Sequence, residues 1–106
     1  MIKAAIQHPF LPQELYEALY EASEQQGRSL NQTLKQALIA GLNEAKLGAR
    51  IPLLGRMRPY TRVFTSLLVD KEMKDDIRKI CEVENIYLAD FIRWSVAVAY
   101  APHVLK

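Results

Sequence analysis

The chain has 106 residues, 50% hydrophobic and 25% charged, with a formal net charge of +2. Such a composition suits one small globular domain or two very small ones, and a half of about 50 residues would be marginal alone. No apolar run approaches the ~18 residues of a membrane span, the start Met1-Ile2-Lys3-Ala4-Ala5-Ile6 lacks a signal-peptide pattern, and the one cysteine, Cys81, excludes an internal disulfide and fits a reducing cytoplasm.

The charge is unevenly placed. Arg50, Arg56, Arg58 and Arg62 fall in a stretch with no carboxylate, while both flanking segments are slightly acidic. A basic middle attracts phosphate; the plainer reading is a solvated linker.

From Lys3 to Leu11 the pattern is ambiguous, because Pro9 has no backbone donor and suits an edge or an irregular stretch. Pro12 opens a helix, where its missing N–H costs nothing. Glu14 and Glu17 favour the helix start, and Leu15, Leu19 and Ala22 form one apolar stripe, flanked by Tyr16 and Tyr20. Gly27 ends this helix. Ser29-Leu30-Asn31-Gln32 is a capping box for a second helix, with Leu30, Leu34, Ala37, Leu38 and Gly41 on its apolar face, running to Ala45 or Lys46. Residues 48–60 contain Gly48, Pro52, Gly55 and Pro59 and read as a linker.

Thr61 to Val69 is the clearest strand, rich in β-branched and apolar residues. A lone strand leaves its backbone groups unpaired, so it requires a partner, expected near the N-terminus. Asp70 is a good N-cap. Met73, Ile77, Ile80 and Cys81 predict a third helix, and Asn85 suits its left-handed end. Leu88, Phe91, Ile92, Ser95, Val96 and Ala99 give the face of a fourth, which Pro102 stops.

The halves repeat one plan. A shift of 58 residues places Leu11 on Val69, Leu15 on Met73, Leu19 on Ile77, Gly27 on Asn85, Leu30 on Leu88 and Leu34 on Ile92. A unit that cannot bury its own apolar face needs its twin. With Leu11-Pro12-Gln13-Glu14-Leu15 and Gly27-Arg28-Ser29-Leu30-Asn31 in the first half, and Val69-Asp70-Lys71-Glu72-Met73 and Asn85-Ile86-Tyr87-Leu88-Ala89 in the second, the chain resembles the ribbon-helix-helix DNA-binding family of the Arc/MetJ/CopG class. The resemblance implies a mainly α fold: a tandem ribbon-helix-helix pseudo-dimer, with a two-stranded antiparallel ribbon and four helices. Units 1–47 and 61–106 would share one folded domain, joined by the basic linker 48–60. The segment Ile6–Leu11 is expected to pair with Arg62–Val69, and pairing between chains instead would give a four-unit dimer.

The family sets its ribbon in the DNA major groove. With Val63, Thr65, Leu67 and Val69 inward, the base-facing set is Arg62, Phe64, Ser66 and Leu68; on the first strand it is Ile6, His8 and Phe10, with Gln7, Pro9 and Leu11 inward. Phe64 and Leu68 depart from the family pattern, since they reach only thymine methyl groups or a protein. An inward Gln7 points to a register shift or a bulge. The resemblance places phosphate at the start of each second helix, on Ser29, Leu30 and Asn31 beside Arg28, and on Tyr87, Leu88 and Ala89, where Tyr87 replaces the usual Ser or Thr. Arg50, Arg56 and Arg58 are added linker contacts.

Other singled-out residues have plainer roles. His8 suits a surface turn, Cys81 a core position, and Glu14, Glu17, Glu21 and Glu24 a solvated face. Trp94, off its helix's main stripe, packs on the linker or marks an association surface. No metal-ligand spacing, nucleophile or phosphate loop emerges, so neither an enzyme nor a cofactor is expected. The expected partner is double-stranded DNA, as a repressor or an accessory factor of a plasmid, phage or conjugative element. The alternative is a protein-interaction module, antitoxin-like or scaffolding, that uses the apolar ribbon face.

Overall fold

The structure is a computed structural model that describes residues 3–7, 11–52, 60–61 and 66–105. Strand β1 (Lys3–Gln7) pairs antiparallel with β4 (Ser66–Asp70), with Lys3 opposite Asp70 and Gln7 opposite Ser66. A second short ladder joins β2 (Leu11–Pro12) to β3 (Tyr60–Thr61). Four helices make up most of the rest: α1 (Gln13–Gln26), α2 (Leu30–Lys46), α3 (Lys71–Glu84) and α4 (Leu88–Tyr100). A 3-10 turn, Pro102–Leu105, follows α4.

The helix boundaries follow from local chemistry. Pro12 occupies the N-cap of α1 at φ −56 and ψ 148, so the helix begins one residue after the expected proline. Gly27 (φ 63) and Asn85 (φ 57) take the left-handed conformation that ends α1 and α3. The residues after them close the turns: Arg28 donates its amide to the Ser23 carbonyl at 3.0 Å, and Ile86 donates to Cys81 at 3.0 Å. The boundaries recur at one offset. Gln13 and Lys71 are 58 apart (71 − 13), and so are Gly27 and Asn85 (85 − 27) and Leu30 and Leu88 (88 − 30).

One buried cluster draws on both halves, with Leu15, Leu19, Leu34 and Leu38 against Ile77, Phe91, Ile92 and Val96. Helices α2 and α4 pack most extensively. They approach so closely at Gly41 that an added Cβ would lie 2.8 Å from Ser95 Cβ and 3.3 Å from Ser95 Cα. Trp94 is buried, its ring 5.8 Å from that of Phe91, so it is a core residue and not an association surface. Cys81 is buried, as its stripe predicts.

The ribbon departs from expectation in its extent, in the face that Ile6 takes and at Asp70, while its register shows the kind of shift that an inward Gln7 points to. Its longer ladder starts at Lys3, ahead of the expected Ile6. Three residues (8–10) separate the two ladders on one strand and four (62–65) on the other, so the register slips by one. Ile6, expected to face outward, is fully buried opposite Leu67. Counting back in twos from the buried Leu11 misplaces it, because both residues are buried although they are five apart, and a slip of one exchanges the faces of a strand. Finally, Asp70 stands at the α3 N-cap but makes no cap hydrogen bond; it accepts one from Lys3 Nζ instead, at 2.7 Å.

Candidate nucleic-acid interface

In the longer ladder, the side chains alternate as a half-buried strand should. Ile6, Leu67 and Val69 are buried, while Lys3, Ala5 and Leu68 face outward, Leu68 with 64% exposure. The outward face therefore carries the Lys3–Asp70 ion pair and the apolar pair Ala5–Leu68. The hydrogen bond from Lys3, helped by the charge of Lys35, holds the Asp70 carboxyl below its ordinary range. Leu68 is outward as expected. Ser66 lies in β4, where its backbone is paired with Gln7. His8, Phe10, Arg62 and Phe64 lie outside the described residues, as do Arg56 and Arg58.

The two second helices begin differently. Ser29 Oγ accepts from the Gln32 amide at 3.1 Å, and Gln32 Oε1 accepts from the Ser29 amide at 3.2 Å, completing the capping box. The Leu30 and Asn31 amides stay free of intrahelical bonds, as first-turn amides do. Arg28, Ser29 and Asn31 are exposed, and this first turn has no acidic residue. At α4 the cap comes from a carboxylate: Asp90 accepts from the Tyr87 amide at 3.0 Å and sits 3.5 Å from Arg93. The Tyr87 side chain is 82% exposed and makes no cap bond. An anion approaching Tyr87, Leu88 and Ala89 therefore meets Asp90 in the first turn, which opposes the dipole.

Two cations that the sequence reading did not single out stand on α3. Lys74 Nζ donates to the Ala5 carbonyl of β1 at 2.8 Å, tying α3 to the ribbon. Arg78, one turn on, is 3.5 Å from Asp75, which also lies 3.5 Å from Lys71. Both Lys74 and Arg78 line a groove of about 440 Å³ that extends to Asn85, Tyr87 and Leu88 at the start of α4. Their i, i+4 spacing was the available signal, since such residues share a helix face.

Arg50 is exposed, beside Lys79, Val83 and Glu84. Glu84 Oε1 also accepts from the Ile51 amide at 3.4 Å. This places Arg50 toward the C-terminal end of α3, where Glu84 is about 15 Å along the helix axis from Lys74. The structure thus does not join Arg50 to the ribbon.

On α1, Glu14, Glu17, Glu21 and Glu24 are all exposed. Glu14 meets His103 Nε2 at 2.9 Å, and Glu17 accepts from Gln13 at 2.8 Å. Among the described residues no cluster of three or more His, Cys, Asp or Glu could hold a metal ion, and no helix is long and apolar enough to cross a membrane. Comparison with protein-family models, curated proteins and solved structures gave no match to this chain.

Proposed function

We propose that this chain is a double-stranded DNA-binding protein built as a tandem ribbon-helix-helix pseudo-dimer, acting as a repressor or an accessory factor of a mobile element. The observation that carries the reading is the common offset: helix start, left-handed residue and capped second helix recur 58 residues apart, and the segment before α1 pairs antiparallel with the segment before α3, β1 with β4 and β2 with β3. In this reading the ribbon enters the major groove and the start of α2, with Arg28, Ser29, Leu30 and Asn31, binds phosphate. Fluorescence anisotropy with a labelled duplex at several salt concentrations tests it. Binding that weakens linearly on a log–log salt plot is expected; no binding to any duplex at low salt refutes it.

One observation favours a second reading. Leu68, 64% exposed opposite the exposed Ala5, gives the ribbon an apolar outer face that suits a protein partner. Replacing Phe64 and Leu68 by serine separates the two. Loss of a co-purifying partner with DNA affinity intact would favour the protein-interaction module.

A further inference from the structure

We infer that the two halves would grip the DNA backbone by different devices: the free first-turn amides of α2 with Arg28 on one side, and the cations Lys74 and Arg78 of α3 on the other. The inference rests on the DNA-binding reading and concerns where its phosphate contacts fall.

The first unit has no cations to offer from its first helix. The residues 58 positions before Lys74 and Arg78 are Tyr16 and Tyr20, whose rings lie 6.2 Å apart, and the exposed surface of α1 carries four glutamates. Phosphate there is left with the start of α2, which has no carboxylate in its first turn. In the second unit the pattern is reversed. Asp90 occupies the first turn of α4, whereas Lys71, Lys74 and Arg78 fall at i, i+3 and i+7 on one face of α3.

The charge on that face is cancelled only in part. Asp75 is shared between Lys71 and Arg78, at 3.5 Å from each, and Lys74 is held by a neutral carbonyl. Among the described residues that line the same groove, Glu82 is the acidic one. Arg78 keeps 67% of its side chain exposed despite the ion pair. The occupant also follows from continuity: Lys74 sits directly on the ribbon, and the groove leads from it past Arg78 to the start of α4. A sugar-phosphate strand leaving a groove that holds the ribbon would meet these cations in turn.

Anisotropy titrations of the full chain with a labelled random-sequence duplex, from about 0.05 to 0.3 M salt, test the assignment. Each lost phosphate contact lowers the log–log salt slope by about 0.9. The double variant Lys74→Gln/Arg78→Gln is expected to lose close to two such contacts and about tenfold in affinity at 0.15 M salt, while Lys74→Arg keeps the slope. Glu82 is exposed, so Glu82→Gln should leave the fold intact and tighten binding two- to threefold. Wild-type binding with an unchanged slope in the folded double variant, or no tightening by Glu82→Gln, overturns this assignment and leaves the DNA-binding reading standing. Failure of the wild-type chain to bind any duplex overturns both.

Discussion

Three residues set testable limits on the core. Gly41 has no room for a side chain: a Cβ there would press on the backbone and Cβ of Ser95. Gly41→Ala should therefore cost about 1–3 kcal/mol despite the better helix propensity of alanine, as measured by urea denaturation. Ser95 is fully buried, and its hydroxyl has no hydrogen-bond partner among the described residues. An unsatisfied buried polar group is costly, so Ser95→Ala should raise stability by about 1 kcal/mol in the same assay. Cys81 gives a pH signature. Burial, with the charges of Asp90 and Glu82, pushes its thiol up to about 11 from an ordinary 9.0. Between those values the unfolded state holds fewer protons than the folded one, so stability falls as pH rises through this window. Cys81→Ala should flatten that fall, read from urea midpoints at stepped pH. Native Cys81 should also react far more slowly with iodoacetamide at pH 8 than the denatured thiol does.

At the scale of elements, caps and pairing decide the geometry. Ser29→Ala removes one half of a complete capping box and should cost about 1 kcal/mol. The Lys3–Asp70 pair works differently. Its partners are about half and two-fifths exposed, so it contributes little to overall stability. What it contributes is present above the ordinary carboxylate range and is lost as pH falls through the lowered Asp70 value. Titration of Asp70 followed by NMR should give a midpoint below that range, and Lys3→Gln should move it up. Helix existence was legible in the sequence because Gly27, Ser29, Asn85 and the apolar stripes act locally. The ribbon register was legible only in part: an inward Gln7 pointed to a shift, but nothing near Ile6 reveals that Leu67 lies opposite, since that depends on pairing across the chain. The roles of Asp70 and Asp90 were hidden for the same kind of reason. Asp70 reads as a cap until Lys3 claims it, and nothing in the sequence singles out Asp90, whose carboxylate caps α4 where Tyr87 does not.

For the whole molecule, the shared buried cluster has a direct consequence. Residues 1–47 alone would expose Leu15, Leu19, Leu34 and Leu38, which the second half covers in the intact chain. Each half expressed alone should lack a cooperative melt by circular dichroism, and mixing the halves should restore one. Much of this scale was legible as well: the offset of 58 in the sequence reappears in the helix boundaries. The proposed phosphate contacts on α3 were less so. Lys74 is joined to the ribbon through its bond to the Ala5 carbonyl, 69 residues away, which nothing near it in the sequence reveals.

The clasp between Lys3 and Asp70 also fixes an order of events. Its partners are 67 residues apart, so the first strand leaves the ribosome long before the strand it needs exists. Meanwhile α1 and α2 can form from local contacts, but β1 has nothing to pair with until Asp70 emerges. At about 5–20 residues per second, that wait lasts several seconds. Throughout it, the segment around Ile6 is an unpaired apolar strand, available to any other strand edge that reaches it first.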